Sequence, residues 1–332
     1  MYVQLDKSSI DDYLGHYYVL ACRLRNSRLK AKRIAIMELF MAMLPYESIF
    51  LANGPLSNIK GLICYLIPRS SVSTIRDVLQ KIGYCEAFYI LNFDEDIDEA
   101  NDIASAVDQV WKGRRFAVQK ILGQDRNIYD SQSPHNKMFA MATGNVRGYR
   151  GDGSALGRRA LPVEDCRCLV NLANPSSMGT MIDPFAGAGG IICAVRFING
   201  SIRATTIDID PILAIGLEEY GATHHVGDAS QIFLNEKFDA IITELPFALD
   251  VTILKGLKNI CGYLEAKGSV SVMCAPHQFN DIRKFVRDMG MYVYCEYQVN
   301  RKGIDVAIIA ATLCKSLPAR MSSLVERIAT IS

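Results

Sequence analysis

Several things are scarce in this 332-residue chain. No apolar run reaches the roughly 18 residues of a membrane-spanning helix, although half of the residues are hydrophobic and can build sizeable cores. Net charge is scarce too: 36 Lys and Arg stand against 35 Asp and Glu. That balance neither demands nor excludes a nucleic-acid partner, so local clusters must decide. Tryptophan occurs once, at Trp111, and reads as a packing anchor rather than a base-stacking platform. Zinc-type cysteine spacing is missing, because Cys166-x-Cys168 has no second pair and falls on a helical pattern; no metal is expected. His224 and His225 are adjacent rather than helically spaced, which suits chelation poorly. The Lys-bearing phosphate loop of nucleotidases is absent. Asp6, Asp11 and Asp12 near Met1 argue against a secretory leader. The ten cysteines, scattered without a framework, read as reduced thiols of an intracellular, cytoplasmic protein.

What is present falls into two patterns. Over the first 95 residues the spacing predicts strand Tyr17–Leu24, helix Lys30–Leu44, strands Ser48–Ala52 and Leu62–Ile67, helix Ser73–Ile82 and strand Ala87–Leu91. The order β-α-β-β-α-β is that of a smaller, ferredoxin-like α+β domain. Residues 96–157 read as a linker: an acidic stretch Asp94–Asp102, a possible helix to Trp111, then a Gly-, Asn-, Ser- and Arg-rich segment. From 158 to 316 buried strands alternate with helices. The expected order is helix Pro162–Leu172, strand Thr180–Ile182, helix Ile191–Phe197, strand Arg203–Ile207, helix Pro211–Tyr220, a short strand near Thr223–His225 and strand Asp239–Thr243. Helix Thr252–Leu264, strand Ser269–Cys274, helix Gln278–Met289 and strands Tyr292–Val299 and Asp305–Thr312 follow. This is an α/β, Rossmann-like pattern with a mostly parallel sheet covered on both faces. The last two strands are joined by too few residues for a parallel crossover, so they should form an antiparallel hairpin. Residues 317–332 read as a C-terminal tail.

The chemistry gathers at predicted strand ends, where open α/β sheets bind ligands. Asp183-Pro-Phe-Ala-Gly-Ala-Gly-Gly190 follows the first parallel strand and opens a helix. Its glycines let backbone approach a ligand closely, but their spacing is not the dinucleotide G-x-G-x-x-G. Asp208, followed by Ile209, ends the second strand, where a carboxylate can accept both hydroxyls of a ribose. Asp228, followed by Ala229, ends the third and could accept an adenine amino group. Glu244-Leu245-Pro246-Phe247 ends the fourth. Each carboxylate alone is an ordinary turn or cap residue; four at successive strand ends are a site. A carboxylate and a carbonyl accepting both hydrogens of an exocyclic amine make its lone pair available, and an aromatic ring beside them can stack on the base. Glu244, the Leu245 carbonyl and Phe247 supply that set, with Pro246 stiffening the turn. Cys274, at the end of the fifth strand, could suggest a nucleophile for pyrimidine methylation, but the Glu244 tetrapeptide points to an amine.

Taken together, DPFAGAGG, TTIDIDP, GDAS and TELPF resemble the THUMP-associated class I RNA guanine-N2 methyltransferases that act on tRNA. Arg159–Leu172 is similar to the helix that precedes the glycine loop in that family, and the resemblance covers roughly residues 155–315. It implies that Asp183, Phe185, Ala186, Gly187, Gly189, Gly190, Asp208, Ile209, Asp228 and Ala229 hold S-adenosyl-L-methionine. It also implies that Glu244, Leu245, Pro246 and Phe247 hold the guanine. The family usually opens the tetrapeptide with Asp or Asn and follows it with Gly; this chain has Glu244 and Ala248. The segment from Leu91 to Gly123 is short for a full THUMP module, so residues 96–157 would hold a reduced remnant at most.

Two basic clusters complete the picture. Arg23, Arg25, Arg28, Lys30, Lys32 and Arg33 carry no acidic residue among them and could meet a phosphate backbone. Arg147, Arg150, Arg158 and Arg159 lie at the end of the linker and just after it, beside the proposed active site. The sequence therefore predicts a methyltransferase of tRNA or another structured RNA. One alternative is a catalytically impaired relative serving as an RNA-binding or protein-partner scaffold; the other is an amine methyltransferase acting on DNA adenine or on protein.

Overall fold

The computed structural model describes residues 2–3, 11–52, 59–92, 117–123, 161–248, 251–301 and 304–329. Its contacts divide the chain into two units, Met1–Arg126 with Arg320–Ser332, and Asn127–Ala319.

The first unit contains β1 (Tyr2–Val3), α1 (Asp11–Leu14), β2 (Tyr17–Leu24), α2 (Lys32–Ala42), β3 (Ile49–Leu51), β4 (Leu62–Pro68), α3 (Val72–Leu79), β5 (Cys85–Asn92) and β6 (Ala117–Gly123). The inner strand order β3-β4-β2-β5 is antiparallel throughout, as the βαββαβ reading requires. Two strands extend it: β1 pairs parallel with β3, and β6 pairs antiparallel with β5. The strand β6 arises inside the segment read as a linker; the rest of that segment, with its acidic stretch and Trp111, lies outside the described residues. Alternation along β2 sends Val19 and Ala21 to one face, where they join Cys64, Leu66, Tyr89 and Leu91 in a buried cluster.

The second unit contains α4 (Val163–Leu172), β7 (Thr180–Asp183), α5 (Gly190–Ile198), β8 (Arg203–Asp208), α6 (Ala214–Glu219), β9 (Thr223–Val226) and β10 (Phe238–Glu244). It continues with α7 (Val251–Cys261), β11 (Leu264–Cys274), α8 (Phe279–Asp288), β12 (Tyr292–Arg301) and β13 (Ile304–Thr312). Its seven strands lie in the order β12-β13-β11-β10-β7-β8-β9. The five from β11 to β9 are parallel, and β13 runs antiparallel between β11 and β12. The expected helix Thr252–Leu264 ends three residues earlier, at Cys261: Gly262 interrupts it, and Leu264 already pairs with Phe238 as the first residue of β11. Ile253, Leu257 and Ile260 of α7 and Ile282 and Val286 of α8 pack with Ile241, Val270 and Val272 in one core layer. Toward the opposite face, α4 is tied down where Ser269 Oγ donates to the Ala173 carbonyl (3.0 Å) and Tyr294 OH to the Leu172 carbonyl (2.6 Å).

The segment read as a tail forms α9 (Ser316–Ala329). Met321, Leu324 and Ile328 are fully buried on one helical stripe, and the chain from Arg320 onward clusters with the first unit. The mostly parallel sheet with its antiparallel hairpin, together with a ferredoxin-like domain, matches the fold class read from the sequence.

Candidate active site

The parallel sheet changes direction at β7. From β7 the chain winds outward through β8 and β9, then returns to build β10 and β11 on the other side. Such a switch point opens a crevice at the carboxyl ends of the strands. The glycine loop after β7 and the tetrapeptide after β10 flank it on adjacent strands.

The glycine loop is held by its own main chain. Gly187 and Gly189 have φ of +50° and +80°, a region that side chains rarely adopt. A Cβ at Gly189 would also lie 2.7 Å from Leu217, so loop and α6 meet there without room for one. Ala186 N–H donates to the Ile207 carbonyl, and Gly189 N–H to the Ala186 carbonyl. Gly189 caps α5, which begins at Gly190. Phe185 is half-buried; its ring lies against Gly256 of α7 and packs on the core.

Asp208 ties the glycine loop to the end of β8. Its Oδ2 accepts Gly187 N–H at 2.9 Å and its Oδ1 accepts Asp210 N–H at 3.0 Å. A carboxylate offers about four acceptor positions, so each oxygen retains capacity for a ligand hydroxyl. Next to it Ile209 is 75% exposed, and Val226 at the end of β9 is 51% exposed, which leaves apolar surface beside the carboxylate. A Cβ at Gly187 would meet nothing within 4 Å, so the space before the loop is open. Asp228 is half-buried and its Oδ1 accepts Ser230 N–H at 2.8 Å. Ala229 is buried, and its carbonyl is clipped by Asn259 Nδ2, which also donates to the Ile232 carbonyl, both at 2.9 Å. A carboxylate with spare acceptor capacity, exposed apolar surface and an open glycine turn suit a nucleoside-bearing cofactor such as S-adenosylmethionine.

Asp183 is buried. Thr243 Oγ1 donates to its Oδ1 at 2.7 Å and Phe185 N–H at 3.2 Å. Burial outweighs those two donors and, with the charges of Asp208 and Glu244 nearby, pushes its carboxyl up to about 7. Asp183 therefore braces β7 against β10 from within the sheet.

The tetrapeptide side is built differently. Glu244, the last residue of β10, is half-buried. Leu245 is buried, and its N–H donates to the Met273 carbonyl of β11. Pro246 and Ala248 are exposed, as is Phe247 at 38%. Among the described residues no hydrogen bond reaches the Leu245 carbonyl. A cavity of about 280 Å³ opens beside this loop, with Leu245, Ala248, Val251, Ile253, Gln278 and Asp281 in its lining.

Cys274 is fully buried and burial pushes its thiol up to about 12, so it supplies no thiolate nucleophile. No metal-binding cluster occurs among the described residues, and no helix there is long and apolar enough to cross a membrane.

The basic run divides. Arg25 is buried, its Nε donating to the Gly83 carbonyl at 2.7 Å. Arg28 is buried over the Tyr84 ring at 5.2 Å. Buried Glu38 accepts Gly83 and Tyr84 N–H at 2.6 and 3.0 Å in the same region. The expectation that all six cations face a polyanion is thus corrected for Arg25 and Arg28, which serve the fold of the 83–84 turn. Arg23, beside Glu86 at 3.9 Å, and Lys30 are exposed; Lys32 and Arg33 are half-buried. Arg147, Arg150, Arg158 and Arg159 lie outside the described residues.

Sequence reasoning singled out Asp183 and Asp208 but missed Thr243, which holds the Asp183 carboxyl, and Asn259 and Gln278, which hold the site's backbone. Thr243 precedes the tetrapeptide directly and could have been noticed. The partners of Asn259 and Gln278 are some thirty residues away, so no local signal exists.

Sheet order and glycine turn define the Rossmann-like fold of class I methyltransferases. Among known proteins, the chain is 32% identical over 126 residues to the tRNA (guanine(10)-N2)-dimethyltransferase of Methanothermobacter thermautotrophicus. It is 28% identical over 155 residues to the enzyme of the same name from Methanocaldococcus jannaschii. These matches cover 33% and 42% of this chain and only 37% and 39% of the relatives' lengths. TrmN from Thermus thermophilus has a solved structure matched over 89% of this chain and 99% of its own, with 13% identity and a TM-score of 0.45. No family model matches the chain.

Proposed function

We propose that this protein is an S-adenosylmethionine-dependent RNA methyltransferase that modifies guanine N2 in tRNA. One observation carries the reading: a carboxylate, an unengaged carbonyl and an exposed ring lie in sequence at the end of β10, on the strand adjacent to the glycine loop. The names of the partial relatives support it. Asp208 would accept the ribose hydroxyls, Asp228 the adenine amine, and Ile209 would cover the adenine, with Ala186, Gly187 and Gly189 close to the rest of the cofactor. The cofactor, when bound, supplies an electrophilic methyl group.

The chain's own residues prepare the acceptor. Glu244 and the Leu245 carbonyl accept the two hydrogens of the guanine amine and so localise its lone pair, a preorganised electrostatic effect. Phe247 stacks on the base and holds it in line. The guanine must leave its helix to reach them. The ferredoxin-like unit, with Arg23, Lys30, Lys32 and Arg33, and the arginine-bearing linker would grip the RNA backbone, which positions without reading sequence. The THUMP remnant proposed within residues 96–157 would belong to this RNA-docking part.

A second reading rests on Glu244. Glutamate is one methylene longer than the Asp or Asn usual there, and misplacement of about 1 Å can cost on the order of a hundredfold in rate. A non-catalytic RNA-binding or protein-binding scaffold follows if the cost is complete.

Calorimetric titration with S-adenosylmethionine, repeated on Asp208→Ala, tests the cofactor site. We expect micromolar binding that weakens by roughly ten- to a hundredfold in the variant, since a hydrogen bond to a charged group contributes about 1.5–3 kcal/mol. Methyl transfer to tRNA transcripts, with the modified nucleoside identified by digestion, then decides between enzyme and scaffold. Absence of cofactor binding, with and without RNA, refutes the enzyme reading.

A further inference from the structure

The loop that carries the proposed amine site is poorly anchored by its own backbone. Pro246, Phe247 and Ala248 are exposed, and Pro246 has no N–H to give. Among the described residues one side chain ties this stretch down. Gln278 Nε2 donates to the Pro246 carbonyl at 2.8 Å and to the Ala248 carbonyl at 3.4 Å. Its Oε1 accepts Ala275 N–H at 2.9 Å. That last bond orients the amide, because a flipped group would set an NH₂ against a donor and an oxygen against two carbonyls. Gln278 is itself fixed by its own N–H, which donates to the Ala275 carbonyl at 3.0 Å.

The geometry has a specific consequence. Fixing the Pro246 carbonyl fixes the peptide plane between residues 246 and 247. Fixing the Ala248 carbonyl fixes the plane that follows residue 248. Phe247 sits between the two, so the direction of its ring is set from both sides. The same bonds occupy the carbonyls on either side of Phe247, while the Leu245 carbonyl stays available. The anchor comes from the exit of β11, the neighbouring parallel strand.

We propose that Gln278 is a positioning residue that clamps the Glu244–Ala248 loop in the shape needed to present the Leu245 carbonyl and the Phe247 ring to the acceptor base. The inference rests on the methyltransferase reading and adds to it a residue outside the tetrapeptide.

Two variants test it beside the unmodified protein, with tRNA transcripts as acceptor. Gln278→Ala removes both ends of the clamp. Gln278→Glu keeps an acceptor for Ala275 N–H but loses the donor and sets a carboxylate against two carbonyls. Both should lower kcat by roughly ten- to a hundredfold, the range that small misplacement produces. The Kd for S-adenosylmethionine should stay within about twofold, since the glycine loop and Asp208 are untouched. Independently of turnover, chymotrypsin should cut after Phe247 several-fold faster in both variants, because cleavage needs locally released backbone. An unmodified protein that transfers no methyl group refutes the functional reading, and the cleavage rates still judge the clamp. Variants with native kcat, or with unchanged cleavage at Phe247, overturn the positioning role. So does a fall in kcat that merely parallels lost cofactor affinity and a lowered Tm in both variants, which marks a structural residue.

Discussion

The two sides of the crevice are made by different means. On the β7 and β8 side, main-chain bonds and a carboxylate from the adjacent strand act together: Gly187 and Gly189 bend the chain, Ala186 bonds to Ile207, and the Asp208 carboxylate receives two main-chain donors. On the β10 side the chain runs out exposed after Leu245 and is tied by a side chain from another strand's exit. The first side is anchored at several main-chain points, which under the proposed function would suit residues that surround a cofactor. The second is held by a side-chain clamp, which under the same proposal would suit a loop that admits an everted base. Binding and transfer should therefore fail separately.

Glu244→Ala is the strongest attempt to separate them. It should reduce methyl transfer by at least about a hundredfold, the range for removing one preorganised group aimed at a reacting centre. Calorimetry should find cofactor affinity nearly unchanged; retained turnover removes Glu244 from the mechanism. Gly189→Ala attacks the first side instead. A Cβ at 2.7 Å from Leu217, on a residue at φ +80°, should cost about 1–3 kcal/mol of stability, read by urea unfolding. Adding Leu217→Ala relieves the clash but leaves the backbone strain, so an unimpaired single variant contradicts the loop geometry.

The last effect, spread over several units of pH, concerns Asp183, which joins the two sides. Its folded carboxyl sits at about 7, above the value of about 3.9 expected in the unfolded chain. The folded state therefore holds this proton more tightly. Its contribution to stability is full below about pH 4, declines by at most about 1.4 kcal/mol per pH unit as pH rises toward 7 and is gone above that. Asp183→Asn still accepts from Thr243 and Phe185 and should flatten this part of the pH–stability curve. An identical slope in the variant rules Asp183 out as its source.

Much of this molecule was legible along the chain because its reasons are local. The 2-residue and 3.6-residue periods, the glycine turn and carboxylates at strand ends each act within a few residues, and the short span from Val299 to Asp305 forced the final hairpin. The misreadings share an opposite cause. Helix α7 stops early because Leu264 finds Phe238 across the sheet. The expected tail became a helix with a buried stripe at Met321, Leu324 and Ile328. Arg25 and Arg28, indistinguishable from Lys30 in a list of charges, turned inward to the carbonyls and ring of the 83–84 turn.

By itself, then, the sequence determined the order of elements, the class of sheet and the residues that meet at its carboxyl ends, because periodicity and turn chemistry are properties of neighbours. Tertiary structure alone decided which cations are buried, that Thr243 braces Asp183, and that Gln278 reaches back some thirty residues to hold the loop at 246–248. Those are contacts between distant segments, and their energies exist only once the sheet has brought the strand ends together.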